Sequence, residues 1–172
     1  EMVSGDSIPL DRYISHEYPF TIDIKKGWNI YGFDQPNIPG FNLQVLLRKN
    51  NTSGEISVFT YDLTGELANF TTDKFAEYMY ELGAAQDWDF YKKEESKEID
   101  LSDDLTVWGI KEQWKRPHLN YQNTGVEYFF VHRGIGYSIY TQSASEKWES
   151  LQPEITEIVS VSGGCSLMIM RI

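Results

Sequence analysis

The stretch FTIDIKKGW, residues 20–28, changes from a strand pattern to a turn, and this change indicates how the fold begins. Its first five residues alternate between apolar and polar, which predicts a strand with one buried face. A turn glycine, Gly27, ends the alternation, and Trp28 follows directly. Trp28 is either a core side chain at the end of a sheet or an indole that stacks on a ligand. We predict the core position, because large aromatic residues are on average highly buried.

Length and composition indicate one domain with a substantial core. The chain has 172 residues, of which 15% are aromatic, and aromatic side chains suit the half-buried surface of a β-sheet. Fifteen basic residues against 26 acidic ones give a formal charge of -11. Such a surface is repelled by phosphate groups, so we expect no nucleic-acid partner. The single cysteine, Cys165, excludes an internal disulfide and fits a cytoplasmic or a bacterial exported protein.

Periodicity along the rest of the chain predicts further strands and two helices. The predicted elements are a strand over residues 18–24, a loop over 32–42, a hairpin of 43–49 and 55–63, a helix over 72–83, a charged hairpin of 88–99 and 105–115, a hairpin of 126–132 and 135–142, and a helix after Ser145. Thr71 or Thr72 and Ser145 are candidate helix caps, Gly83 is a helix stop, and Pro153 should kink or restart the last helix. Strands joined by short turns form antiparallel sheets. The prediction is therefore an α+β fold, with about seven antiparallel strands flanked by helices.

Two segments resemble the PsbP-like domain family. FTIDIKKGW is similar to the opening strand and turn of these domains, and GIGYSIYTQSASEKWESLQPEITEIVSVS, residues 134–162, is similar to their closing strand and helix. The predicted helix over residues 72–83 occupies the expected place between them. The resemblance implies an α/β/α sandwich. It divides the chain into a flexible lead-in, a single PsbP-like domain and a C-terminal tail, over residues 1–17, 18–161 and 162–172.

The resemblance also implies a role. The family includes many bacterial and archaeal lipoproteins, so we expect a non-enzymatic, extracytoplasmic domain that binds or helps to assemble another protein. Membrane contact would then be limited to a lipid on a segment that precedes residue 1. No residue motif here supports a photosystem function, and none is carried over.

The sequence contains no motif for catalysis or for a cofactor. It has no Gly-x-Ser-x-Gly elbow, phosphate loop, dinucleotide-binding glycines or His-Glu-x-x-His, so we predict no enzyme and no cofactor. A hydrolase whose residues meet only in three dimensions remains an alternative. One acidic run suggests calcium, and it comprises Glu94, Glu95, Glu98, Asp100, Asp103 and Asp104. Its spacing matches no EF-hand loop and lysines interrupt it, so we favour a solvated hairpin and predict no metal site.

Aromatic residues in two predicted loops are the candidate binding residues. The first loop offers Tyr31, Phe33 and Phe41, and the second offers Trp114, His118 and Tyr121. Rigid aromatic side chains make strong contacts at low entropic cost, although the same residues could equally fold back onto the sheet. We expect a loop patch and not a deep polar cleft. The alternative function is a small-ligand or metal-ion binding protein that uses these loops or the acidic hairpin.

Overall fold

The computed structural model describes residues 12–15, 17–18, 20–38, 41–102 and 105–160, without the side chains of residues 33–38, 41 and 102. The strands are β1 (Arg12–Ile14), β2 (Thr21–Asp23), β3 (Trp28–Ile38), β4 (Phe41–Lys49), β5 (Glu55–Asp62), β6 (Phe90–Ser102), β7 (Leu105–Lys115), β8 (Asn123–His132) and β9 (Ile135–Ala144). The helices are α1 (Thr72–Ala84) and α2 (Ser145–Val159), and a short 3-10 turn covers Gly65–Leu67.

Seven strands form one sheet in the order β3-β4-β5-β9-β8-β7-β6, and β1 pairs with β2 in a small second sheet. Every neighbouring pair is antiparallel, which confirms the predicted α+β class and the predicted strand number. The β8–β9 turn shows why a hairpin forms at Arg133 and Gly134. Arg133 and Gly134 both have positive φ, at 50° and 76°, as a two-residue hairpin turn with matching twist requires.

Each face of the large sheet carries a helix. On one face, α2 and the small sheet cover a core that includes Val45, Leu47, Ile56, Val58, Val126, Phe130 and Ile139. The side chains that α2 buries recur at helical spacing: Trp148, Leu151, Ile155, Ile158 and Val159. On the other face, α1 packs through Phe75 and Ala76 against β7 and β8. The result is an α/β/α sandwich.

Trp28 belongs to the core, as predicted. Only 4% of its surface is exposed, and its indole Nε1 donates a hydrogen bond to Glu154 of α2 at 3.1 Å. Lys49 forms an ion pair with the same carboxylate and lies 5.8 Å from the indole centroid. Gly27 makes the turn with φ of 89°. The turn and its tryptophan thus fasten the start of β3 to α2.

Two expectations about irregular segments were wrong. Residues 32–42 are not a loop, since β3 continues to Ile38 and β4 begins at Phe41. Pro36 is tolerated because β3 is an edge strand and its register shifts between Pro36 and Ile38. Within the aperiodic lead-in, Arg12–Ile14 form a strand that pairs with β2. The predicted domain boundaries stay a prediction, and the tail after residue 160 lies outside the described residues.

The helices begin where predicted but differ in detail. α1 includes Gly83 and ends one residue later, and α2 continues through Pro153. No side chain caps either helix; instead, the Thr71 hydroxyl bonds to Asp73, and that of Ser145 lies 2.7 Å from Thr124. The buried stripe of α2 holds the helix on the sheet across the proline. No helix among the described residues is both long and apolar enough to cross a bilayer.

Candidate functional site

A groove of about 1560 Å³ opens on the α1 face of the large sheet. Its sides come from the end of α1, including Gly83, and from the loop between β7 and β8, including His118 and Tyr121. Its floor is the sheet itself, because every second residue of β7, β8 and β9 points toward this face. Concave surfaces with apolar walls and a few polar groups are where proteins usually bind ligands. The groove is the candidate functional site.

Glu112 of β7 is a buried carboxyl in the floor. It shares a face with Trp108, Ile110 and Trp114, and only 4% of its surface is exposed. The Tyr91 hydroxyl donates a hydrogen bond to it. Burial raises the pKa of Glu112 to about 7, although the hydrogen bond from Tyr91 acts to lower it. A carboxyl that ionises near neutral pH is therefore present at the base of the groove.

Glu127 of β8 is a second carboxyl in the floor, and it is half-buried. It stands diagonally across from Glu112, since Glu127 pairs in register with Ile110 and Glu112 pairs with Gly125. Burial, and then the neighbouring Glu112, raise the pKa of Glu127 to about 8, while the hydrogen bond donated by the Ser138 hydroxyl opposes them. Two carboxyls that influence each other in this way titrate as a pair.

Aromatic rings surround the two acids. The centroid of Trp114 lies 5.6 Å from that of Tyr140 and 6.5 Å from that of Trp88, and Trp88 stacks on Tyr91 at 5.2 Å. The Trp88 indole donates to the Gly83 carbonyl at 2.8 Å, which ties this wall to the end of α1. Burial and the nearby carboxylates Glu112 and Glu127 raise the pKa of the Tyr140 phenol, so Tyr140 stays neutral. The groove thus combines flat apolar surfaces with hydrogen-bonding groups.

Comparison with known proteins identifies the fold. No protein-family model matches the sequence, and no curated protein does. The solution structure of cyanobacterial PsbP (CyanoP) from Synechocystis sp. PCC 6803 matches over 91% of this chain and 94% of that chain, with a TM-score of 0.62 and 14% identity. The chain has a PsbP-like fold.

A second solved structure is less similar. The Pseudomonas aeruginosa protein PA94, of unknown function, matches over 85% of this chain and 90% of that chain, at 14% identity and a TM-score of 0.47. The similarity to CyanoP confirms the predicted PsbP-like architecture. At 14% identity it shows the fold and no function.

The PsbP-like fold brings three of the six predicted binding residues to the groove. Trp114 lies in β7, within the predicted strand of residues 105–115, and only 2% of its surface is exposed. Its ring still lines the groove, together with His118 and Tyr121. Tyr121 is 46% exposed and stands at the rim.

The other three predicted residues lie at the β3–β4 edge of the sheet. Tyr31 is 60% exposed on β3, where the guanidinium of Arg48 lies 5.3 Å from its ring centroid. Phe33 and Phe41 belong to β3 and β4, and their side chains lie outside the described residues. The two aromatic segments therefore do not form one patch in the described structure.

Sequence reasoning missed the two acids and the cleft that holds them. The available signal was the alternation Trp108, Ile110, Glu112, Trp114, in which one carboxylate occupies a position of an otherwise apolar face. Such a residue is either buried with partners or marks a site. Glu127 gives no comparable signal in the sequence, because its neighbours Ile110 and Ser138 come from other strands. The expectation that the functional surface is a loop patch stays a prediction, because the groove is lined both by loop residues and by the sheet.

Two carboxylates of the acidic hairpin pair with its own lysines. Glu94 lies 3.3 Å from Lys111, and Glu95 lies 2.7 Å from Lys97. In the described part of the chain, no group of three or more metal-ligating side chains occurs. Asp103 and Asp104 lie outside the described residues. The absence of a metal site therefore stays a prediction, which titration can test.

Calcium is expected to leave stability unchanged. Adding about millimolar calcium to chelator-treated protein should not move the melting temperature, because paired carboxylates offer few free ligands. Saturable binding would instead stabilise the protein by roughly 2.7 kcal/mol at a hundredfold excess over the dissociation constant. Differential scanning fluorimetry measures the difference. A rise of several degrees that disappears in Asp103→Asn, Asp104→Asn protein would contradict the prediction.

Proposed function

We propose that this protein is a non-enzymatic, extracytoplasmic PsbP-like domain that binds or helps to assemble another protein through the groove and its rim. The observation that supports it is the convergence of Trp114, His118 and Tyr121 on one concave surface. Aromatic groups at the centre of a contact usually carry most of its binding energy. The rim offers such a group in an exposed position.

The loop that presents Tyr121 is held by hydrogen bonds at both ends. The Leu119 amide donates to the Arg116 carbonyl at 3.0 Å, and the Ser145 amide donates to the Gln122 carbonyl at 2.8 Å. Because the loop is already ordered, binding there costs little conformational entropy. The chain carries a formal charge of -11, so the complementary partner surface is basic.

We also propose that the domain lies outside the cytoplasm. An extracytoplasmic domain, with membrane contact limited to a lipid on a segment preceding residue 1, agrees with the resemblance of the two terminal motifs to PsbP-like lipoproteins. Nucleic acid is not proposed as a partner, because the strongly negative chain repels phosphate.

A second candidate function is small-ligand binding, and the floor of the groove favours it. Glu112 and Glu127 lie below the rim between aromatic rings, where a protein surface would reach them only through an inserted side chain. A small molecule could fill this space. The two candidates share the same site and differ in what occupies it.

Site-directed photocross-linking separates a protein partner from a small ligand. A benzophenone side chain at position 121 should cross-link one protein from a native membrane extract, since the ring would stand at the contact. The matched control carries the same group at position 149, an exposed residue of α2 on the opposite face. We also expect Tyr121→Ala to weaken capture at least about tenfold, near 1.4 kcal/mol, with the melting temperature unchanged.

The opposite pattern would contradict the protein-partner proposal. Equal cross-linking from positions 121 and 149 would show non-specific contact. A lower melting temperature of Tyr121→Ala with unchanged capture would show that Tyr121 packs on the sheet and contacts no partner.

A further inference from the structure

The floor of the groove contains two acids that no basic side chain among the described residues neutralises. Among the residues the structure describes, neither Glu112 nor Glu127 forms an ion pair with a lysine or an arginine. Their bonded partners are the hydroxyls of Tyr91 and Ser138. A buried carboxylate without a cation is costly, and proteins usually pair it or keep it protonated.

Two basic residues near the groove form ion pairs with other carboxylates. Lys93 stands opposite Glu112 in register, yet its ammonium lies 2.9 Å from Glu77 and 4.1 Å from the Tyr80 ring centroid. Arg48, at the other side of the groove, is paired with Glu55 at 2.9 Å. Lys93 and Arg48 are therefore paired with other carboxylates and Arg116 lies on the Trp88 ring, so the two acids can accept an external cation.

The rings beside the acids suit an organic cation. Faces of tryptophan and tyrosine attract ammonium and guanidinium groups within about 6 Å of the ring centroid. The groove already shows this preference, since the Arg116 guanidinium lies 4.8 Å from the centroid of Trp88. Trp114 and Tyr140 stand on the inner side, 5.6 Å apart, next to the two carboxyls.

The end of α1 adds further negative potential. Gly83 in its last turn lines the groove, and that turn contains no basic residue. The C-terminal end of a helix carries a partial negative charge, which favours a cation nearby. Helix end, carboxyls and ring faces thus act in the same direction.

We propose that the groove binds a ligand through a protonated amine, which sits between Glu112 and Glu127 and packs its carbon chain on Trp114 and Tyr140. A hard metal ion fits less well, because calcium takes six to eight oxygen ligands and the floor is largely aromatic. The inference rests on the proposed function only in that the groove is the binding surface. The amine belongs either to a small molecule or to a lysine of a partner protein.

Calorimetric titration with phenylbutylamine tests the inference. Phenylbutanol is the neutral counterpart, and it should bind at least about tenfold more weakly, because it lacks the charge that the carboxylates recognise. Glu112→Gln and Glu127→Gln should each weaken amine binding by about tenfold or more while leaving alcohol binding unchanged. Glu149→Gln on α2 removes the same charge from the opposite face and should bind as the wild type does.

Proton release is the second measurement. The groups that face the pair are Tyr61, Tyr91, Tyr140 and Glu55, and burial keeps the three phenols neutral by raising their pKa. The carboxyls, with pKa values of about 7 and about 8, are partly protonated near neutral pH, so a bound cation should expel protons. Titration in two buffers of different ionisation heat detects this release, which should vanish in the double glutamine variant.

The outcomes assign the source of the amine and separate this inference from the proposed function. Binding of a capped Gly-Gly-Lys-Gly-Gly peptide would indicate a lysine side chain, whereas binding of phenylbutylamine alone would indicate a small ligand. Equal affinity for amine and alcohol, glutamine variants that bind as the wild type does, or no binding of either amine would overturn the inference. Amine binding without a cross-linked partner at position 121 would overturn only the protein-partner proposal.

Discussion

Replacing Gly125 with alanine is expected to lower the free energy of unfolding by about 3 kcal/mol and to displace the floor of the groove. A Cβ at this position would lie 2.2 Å from the Thr141 carbonyl oxygen and 2.9 Å from Cη2 of Trp114. The first contact involves backbone of the neighbouring strand β9, which cannot move without breaking the ladder. Gly125 also pairs in register with Glu112 and Gln142, so the displacement occurs between the two acids. Urea denaturation followed by tryptophan fluorescence measures the loss.

Gly83→Ala is the matched control. Gly83 also lines the groove, but a Cβ there would meet only the Tyr91 hydroxyl at 3.4 Å, which is an ordinary contact. Because Gly83 lies within α1, alanine should raise stability by up to about 1 kcal/mol through helix propensity. Similar stability changes in the two variants would show that the close approach of Trp114 to β8 does not determine the stability of this region.

Local patterns predicted most of the fold, and the errors occurred where tertiary context decides. The predicted strand over residues 105–115 has the ends of β7, because the alternation of apolar residues that marks a strand lies within the segment itself. Pro36 suggested a loop, yet an edge strand accommodates proline, and sequence alone does not show which strand is at the edge. Pro153 suggested a break in α2, but the buried face of that helix holds it on the sheet across the proline.

The candidate site was less predictable, because it forms from segments distant in the chain. Trp114 was identified as an aromatic candidate, but its burial depends on Tyr140 and Trp88, which follow and precede it by many residues. Glu127 lies in a strand of mixed composition and became a candidate only when its neighbours were known. The charge state of a carboxyl depends on its burial and on nearby charges, and the sequence alone shows neither.

The carboxyl pair is expected to make the protein less stable as the pH rises from about 5 to about 9. Both pKa values are raised above the ordinary value of 4.5, to about 7 for Glu112 and about 8 for Glu127, first of all by burial. The folded protein therefore binds more protons than the unfolded chain between these values. Stability from this source is present below the unfolded pKa and is lost as the pH rises through the folded pKa values. The loss between pH 5 and pH 9 is on the order of 6 kcal/mol for the pair.

The double variant Glu112→Gln, Glu127→Gln isolates this contribution. Glutamine keeps an oxygen that can accept the hydrogen bonds of Tyr91 and Ser138, and it carries no proton to lose. The variant should be as stable as the wild type near pH 5, and its free energy of unfolding should exceed that of the wild type by about 6 kcal/mol near pH 9. Chemical denaturation across this range, analysed as the difference between the two proteins, removes the contribution of all other groups.

Glu149→Gln shows whether a loss of negative charge alone produces the effect. Glu149 is exposed on α2, so this variant should follow the wild-type profile with an offset of less than about 0.5 kcal/mol. A double variant whose curve runs parallel to the wild type would mean that both carboxyls ionise at their ordinary pH. In that case the floor of the groove would be wet and charged without a ligand, and the cost that makes a bound cation favourable there would not exist.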